Sequence, residues 1–125
     1  MTKAIRIDKT GGPEVMKYVD VEVGAPGAGE VQVRQHAIGL NYIDVYFRTG
    51  LYPQPLPAGI GLEGAGEVSA IGAGVSGLAV GDRVAYADRP PGSYSQLRNM
   101  PAGPLVKLPA SISYETGAAM MLKGL

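Results

Sequence analysis

The residue types that most often carry covalent or metal chemistry are scarce in this 125-residue sequence. It has no cysteine and a single histidine, His36. The lack of cysteine excludes a disulfide framework and a thiolate nucleophile. With one histidine, a His/Cys zinc site is excluded as well. His36 lies in a strand-like run with no carboxylate close to it in sequence, so we interpret it as a structural or surface histidine.

A glycine-rich run at residues 59–66 could be mistaken for a dinucleotide-binding loop. That fingerprint requires a strand before the loop, a long helix after it and an acidic residue about 20 positions further on. Residues 67–71 instead alternate like a strand. The glycines therefore indicate close backbone packing and tight turns.

The composition argues against a nucleic-acid-binding or membrane-spanning protein. Eleven Lys and Arg balance eleven Asp and Glu, so the chain has no excess positive charge that would attract nucleic acid. No apolar run approaches the ~20 residues that cross a bilayer, and the N-terminus lacks the apolar stretch of a signal peptide. We expect a soluble cytoplasmic protein. Nineteen glycines and ten prolines among 46% hydrophobic residues indicate a turn-rich β domain.

Short alternating runs separated by Gly or Pro predict strands along most of the chain, as in a barrel or sandwich. The predicted strands are residues 5–7, 19–23, 31–33, 67–71, 83–86, 94–97 and 105–108.

Two segments are predicted as helices. The first covers residues 42–48, with Asn41 as N-cap and Gly50 after its end. Its spacing predicts contacts one turn apart: Ile43 with Phe47, Tyr42 with Tyr46, and an Asp44–Arg48 ion pair. The second helix follows Ser113 and has an apolar stripe formed by Ala118, Met121, Leu122 and Leu125.

Several motifs in register resemble zinc-dependent medium-chain alcohol dehydrogenases. They are G-L-E-x-x-G at residues 61–66, the loop at 39–44, V-G-D-R-V at 80–84 and G-S-Y-S at 92–95. Leu62 and Asn41 stand where that family keeps its histidine and cysteine zinc ligands. The sequence therefore resembles the zinc-free branch. Segments 11–15, 48–53 and 122–125 are similar to bacterial NADPH:quinone oxidoreductases, the zeta-crystallin-like family.

The resemblance covers the whole chain and implies a GroES-like, mainly β, partly open barrel with short helices. Residues 1–113 would be the N-terminal part of the catalytic (substrate) domain. Residues 114–125 would begin a helix leading to an NADPH-binding Rossmann domain that is absent from this chain. The implied reaction transfers electrons or a hydride from NADPH to a quinone without zinc, in a homodimeric enzyme. The chain alone is then expected to be inactive.

The resemblance also implies roles for particular residues. Asn41 would occupy the vacated metal position and face the nicotinamide and the substrate. Tyr46 and Tyr52 would donate hydrogen bonds to a quinone carbonyl as negative charge develops on it. Glu63 would form a partly buried ion pair with Arg48 or Arg83. The implied cofactor-binding residues are Asn41, Tyr42, Ile43, Asp44, Val45, Tyr46 and Lys123.

Two alternatives stay open. The chain could belong to a related zinc-free enone or enoyl reductase. It could also be a stand-alone β-rich interaction module that docks through the stripe at residues 120–122. Because no second domain would cover the apolar stripe of the last helix, we expect self-association through that helix.

Overall fold

The computed structural model describes residues 2–122 and shows a mainly β architecture. The strands are β1 (Thr2–Ile7), β2 (Met16–Val21), β3 (Glu30–Gly39), β4 (Ala58–Gly59), β5 (Glu63–Ile71), β6 (Arg83–Ala87), β7 (Leu97–Pro101) and β8 (Val106–Lys107). The helices are α1 (Tyr42–Thr49) and α2 (Tyr114–Met120), with a 3-10 turn at Pro13–Val15. No helix within residues 2–122 is long and apolar enough to cross a membrane.

The strands form two antiparallel sheets, in the orders β2-β1-β4 and β7-β3-β5-β6-β8. A few backbone hydrogen bonds join them: Ile5 donates to the Tyr94 carbonyl at 2.7 Å, and Gln96 donates to the Lys3 carbonyl at 2.9 Å. Within residues 2–122 the sheets do not close into a complete barrel. The predicted mainly β, partly open fold is therefore confirmed.

Alternate residues of the five-stranded sheet fill the largest core cluster, as period-two strands require. Its fully buried members are Val31, Val33, Val68, Val84, Tyr86 and Met100. Helix α2 packs on the same five-stranded sheet, against β3, β5 and β6.

Helix α1 packs through the face that the sequence predicts. Phe47 is buried with Ile7 and Ile60, and Ile43 packs against the same cluster. The helix ends at Gly50, whose φ of 90° is left-handed and favours glycine. Local signals alone were enough to locate this helix.

Helix α2 corrects one expectation. Its start is as predicted, since the Thr116 N–H donates to Ser113 Oγ at 3.1 Å. Ala118 and Met121, however, are buried against β5 and β6. These two members of the predicted stripe are thus covered by the chain's own sheet, so the expectation that they lie uncovered is wrong. Met120 is 36% exposed, and self-association or docking through this helix stays a prediction. Leu125 lies outside the described residues.

The strands differ in extent from their predicted ranges, and β4 was not predicted. β1 begins at Thr2, and β3 extends to Gly39. β2 begins at Met16, where it pairs with Ile7, and β7 begins at Leu97 because the preceding residues bridge to β1. β5 includes the end of the glycine run, in which Gly66 approaches β3. A Cβ on Gly66 would collide with the Arg34 carbonyl oxygen. The glycines permit close strand packing, as the sequence indicates.

Candidate active site

Asn41 joins the end of β3 to the start of α1. Its backbone is extended (φ −129°) and its side chain is only 8% exposed. The Asn41 N–H donates to Asp44 Oδ2 at 3.1 Å, which is one bond of a capping box. Asn41 Nδ2 donates to Glu63 Oε1 at 2.7 Å. The first bond fixes the backbone of Asn41, and the second orients its side-chain amide toward Glu63.

Glu63 is the buried carboxylate of this site, 2% exposed at the start of β5. Oε1 accepts from Asn41, and Oε2 accepts from the Leu122 N–H at 2.9 Å. Within residues 2–122 Glu63 has no ion pair, so the predicted pairing with Arg48 or Arg83 is wrong. Two N–H donors satisfy its oxygens instead. Arg83 donates elsewhere, to carbonyl oxygens at residues 109 and 112.

Gly39 makes room for this carboxylate. A Cβ on Gly39 would lie 2.7 Å from the Ala118 carbonyl oxygen and would collide with Glu63 Oε1. Glycine at this position thus lets β3, Glu63 and α2 approach each other closely. In the sequence, the only sign of this close packing was that the loop motif at residues 39–44 begins with a glycine.

Asp44 carries a second buried carboxylate, 3% exposed. Its Oδ2 accepts from the Asn41 N–H and from the Tyr94 hydroxyl, the latter at 2.6 Å. The predicted Asp44–Arg48 ion pair is wrong, because this carboxylate faces the first turn and Tyr94. Asp44 Oδ1 and Arg48 Nε are both buried without a partner among residues 2–122.

Tyr94 is a site residue that the sequence reasoning did not include. Burial raises the pKa of its phenol, and the hydrogen bond to Asp44 raises it further. The phenol therefore stays protonated and acts as a donor at neutral pH. The signal available in the sequence was the G-S-Y-S motif at residues 92–95.

Three tyrosines lie edge to face along the outer side of α1. The ring centroids of Tyr42 and Tyr46 are 5.5 Å apart, and those of Tyr46 and Tyr52 are 5.3 Å apart. The Tyr52 N–H also donates to the Tyr46 carbonyl at 3.1 Å. Tyr42 is 69% and Tyr52 37% exposed. The structure thus brings Tyr46 and Tyr52 together beside the helix that Asn41 caps.

The residues that the resemblance assigned to the cofactor divide into three groups. Four of them line a cavity of about 410 Å³: Asn41, Tyr42, Asp44 and Val45. Ile43 and Tyr46 are not part of that lining; Ile43 faces the core and Tyr46 lies in the tyrosine row. Asn41 also lines a second cavity of about 360 Å³, together with Glu63. Lys123 lies outside the described residues.

His36 and Leu62 lie apart from the hydrogen-bonded groups around Asn41. His36 is exposed and stacks on Tyr114 with ring centroids 4.2 Å apart, as a surface histidine would. Leu62 is buried in the core cluster of Phe47. In the described range 2–122, no group of three or more His, Cys, Asp or Glu side chains is placed to hold a metal ion.

The comparisons with known proteins decide the family. The alcohol dehydrogenase GroES-like domain matches residues 27–110, about two-thirds of the sequence. The chain belongs to this family. Its loop at residues 39–44 and its buried Glu63 are thus parts of a GroES-like domain.

Relatives of this GroES-like domain are much longer proteins. A quinone oxidoreductase of Pseudomonas aeruginosa is 55% identical over the whole chain, which covers 39% of that relative. The solved structure of Escherichia coli quinone oxidoreductase complexed with NADPH is 48% identical with a TM-score of 0.94, over 98% of this chain and 38% of that one. A 2-haloacrylate reductase of Burkholderia sp. is 41% identical over the whole chain, which covers 39% of it. The chain spans about two-fifths of the length of these relatives.

Proposed function

We propose that this chain forms the substrate-binding part of an NADPH-dependent quinone oxidoreductase, which transfers electrons or a hydride from NADPH to a quinone. The observation that carries the proposal is the 55% identity to a quinone oxidoreductase along the whole chain. The relative whose structure is complexed with NADPH supports the choice of cofactor.

Asn41 would contact the reacting groups. Glu63 accepts one of the two Nδ2 hydrogens, which leaves the other N–H free to donate to an oxygen of the nicotinamide cofactor or the quinone. Because Glu63 is buried and also bound to the Leu122 N–H, it holds the amide in one orientation. Glu63 is a positioning residue, and Asn41 is the residue that would touch the ligand.

Tyr46 and Tyr52 would bind the quinone. Their phenols lie side by side at the protein surface, with the rings held by edge-to-face contacts. A phenol hydroxyl that donates to a quinone carbonyl binds more strongly as that oxygen gains negative charge during reduction. NADPH supplies the reducing electrons when bound, and the tyrosines orient the acceptor.

Residues 2–122 fit the nicotinamide end of NADPH better than its phosphates. Phosphates favour helix N-termini free of negative charge. Here α1 has Asp44 in its first turn and α2 has Glu115. The cavities beside Asn41 are lined by neutral groups and carboxylates together with Arg48. We therefore propose that the isolated chain binds NADPH weakly.

We also propose that the reaction proceeds without zinc. Neither the Asn41 amide nor the Leu62 alkyl side chain can supply the thiolate or imidazole that zinc prefers. The cytoplasmic location and the homodimer stay predictions from the sequence resemblance.

A chimera tests the proposed function. Residues 1–125 would replace the matching segment of the P. aeruginosa quinone oxidoreductase, and quinone reduction by NADPH would be measured. We expect activity that Asn41→Ala lowers by about 5- to 150-fold, corresponding to about 1–3 kcal/mol for a lost buried hydrogen bond. Tyr46→Phe and Tyr52→Phe should lower it less. The control is Tyr18→Phe, at an exposed position on β2. A folded, NADPH-binding chimera without quinone reduction would refute the proposal.

Reduction of an activated carbon–carbon double bond is the second candidate. The observation that favours it is the 41% identity to a 2-haloacrylate reductase. The same chimera separates the two reactions, since a quinone and a 2-haloacrylate can be offered at equal concentrations. A kcat/KM higher for the haloacrylate would select the second candidate.

A further inference from the structure

Arg98 is a buried cation on β7, 7% exposed. Its guanidinium donates only to uncharged groups. Nη2 donates to the Pro90 carbonyl at 2.8 Å. Nη1 donates to Ser93 Oγ at 3.2 Å and lies 3.4 Å from the Tyr86 hydroxyl. These bonds hold the guanidinium against the loop that follows β6.

No carboxylate among residues 2–122 forms an ion pair with Arg98. The ion pairs of that range join Lys3 with Asp20, Lys17 with Asp8, and Lys107 with Asp82, all near the surface. A buried charge without an opposite charge is costly, because the loss of hydration is not offset. Arg98 therefore retains a strong attraction for an anion that can reach it.

The guanidinium has N–H groups left to bind such an anion. Of the five N–H groups of arginine, Nε–H and one Nη2–H have no acceptor among residues 2–122. Gly92 lies over the face of the guanidinium, where a Cβ would be 3.3 Å from Cζ and Nη2 and 3.6 Å from Nε of Arg98. Because glycine has no side chain, this face stays uncovered.

Arg98 and Gly92 both line a cavity of about 320 Å³ between the two sheets. Its other charged side chains are Arg6 and Glu22, so the lining carries a net positive charge. Leu97 and Pro91 are among its apolar members. The cavity thus combines a guanidinium fork with an apolar wall.

We infer that this cavity binds a small monocarboxylate, whose two oxygens accept from Nε–H and Nη2–H of Arg98. This pairing matches the bidentate geometry that arginine makes with carboxylates. The alkyl part of the acid would lie toward Leu97 and Pro91. The cavity shares no residue with the one lined by Asn41 and Asp44, so the site is independent of the proposed oxidoreductase activity.

Nuclear magnetic resonance of the arginine Nε–H groups tests this site in the unmodified chain. Sodium propionate is titrated at constant ionic strength maintained with sodium chloride. We expect the Arg98 Nε–H resonance to shift with a saturable dependence on propionate and not on chloride. An Arg98 resonance that does not move, or that moves equally with chloride, would overturn the inference.

A pair of matched variants supplies the second measurement. Arg98→Lys keeps the positive charge and removes the fork, and should weaken propionate binding at least about tenfold, measured by calorimetry. Arg34→Lys makes the same change at an exposed position on β3 outside this cavity and should bind as the unmodified chain does. Equal affinity in all three proteins would refute the site.

Discussion

Glu63 Oε1 accepts a 2.7 Å hydrogen bond from Asn41 Nδ2, and this bond connects β5 to the N-cap of α1. The second oxygen of the same carboxylate accepts from the backbone just beyond α2. One buried acidic side chain thus sets the positions of both helices relative to the sheet.

Glu63→Gln should destabilise the chain by about 1–3 kcal/mol, because an amide has one acceptor oxygen where two N–H donors need acceptors. The free energy of unfolding in urea measures the change. Glu14→Gln, at an exposed position, is the matched control and should change stability by less than about 0.5 kcal/mol. If both variants unfold at the same urea concentration, the carboxylate does not hold the helices as described.

Stability should fall as pH rises above about 10, the usual pKa of tyrosine. The pKa of Tyr94 is raised in the folded chain, so the unfolded chain releases this proton at a lower pH than the folded chain does. Its contribution is therefore present below pH 10 and is lost above it. Urea unfolding between pH 7 and pH 11 measures this dependence. Tyr94→Phe should flatten it, whereas Tyr18→Phe, at an exposed site, should leave it unchanged. A Tyr94→Phe curve parallel to that of the unmodified chain would contradict the assignment.

Gly39→Ala should destabilise the chain by about 1–3 kcal/mol or more, because the new methyl group would be forced against Glu63 and the Ala118 carbonyl. Gly103→Ala is the control, since a Cβ there has no atom within 4 Å. Thermal unfolding of the two variants compares them directly. A Gly39→Ala protein as stable as Gly103→Ala would show that α2 does not pack as closely on β3 as the structure places it.

The purified, tag-free chain should contain no stoichiometric zinc, and EDTA should leave its Tm unchanged. The physical reason is the donor set at Asn41 and Leu62, which offers neither thiolate nor imidazole. Elemental analysis gives the zinc content, and calorimetry gives the Tm. One zinc per chain, or a Tm that falls on chelation, would refute the zinc-free site.

Local signals in the sequence predicted much of the fold. Helix α1 follows from an N-cap, a C-terminal glycine and the one-turn spacing of Ile43 and Phe47, all of which lie within ten residues. Most strands follow from period-two alternation. Their ends were less well predicted, because pairing partners decide where a strand stops, as at Met16 opposite Ile7.

The partners of the buried polar groups were decided by the tertiary structure alone. The sequence predicted an ion pair between Asp44 and Arg48 and another between Glu63 and an arginine. These predictions could use only the spacing of residues along a helix and the presence of opposite charges. In the folded chain Asp44 binds Tyr94, 50 residues away, and Glu63 binds Asn41, 22 residues away. Burial removes water from these carboxylates, so Asp44 Oδ2 and both oxygens of Glu63 accept from donors that are near in space, whatever their distance along the chain. The sequence by itself determined the residue types and the helix caps, and packing determined which donors meet them.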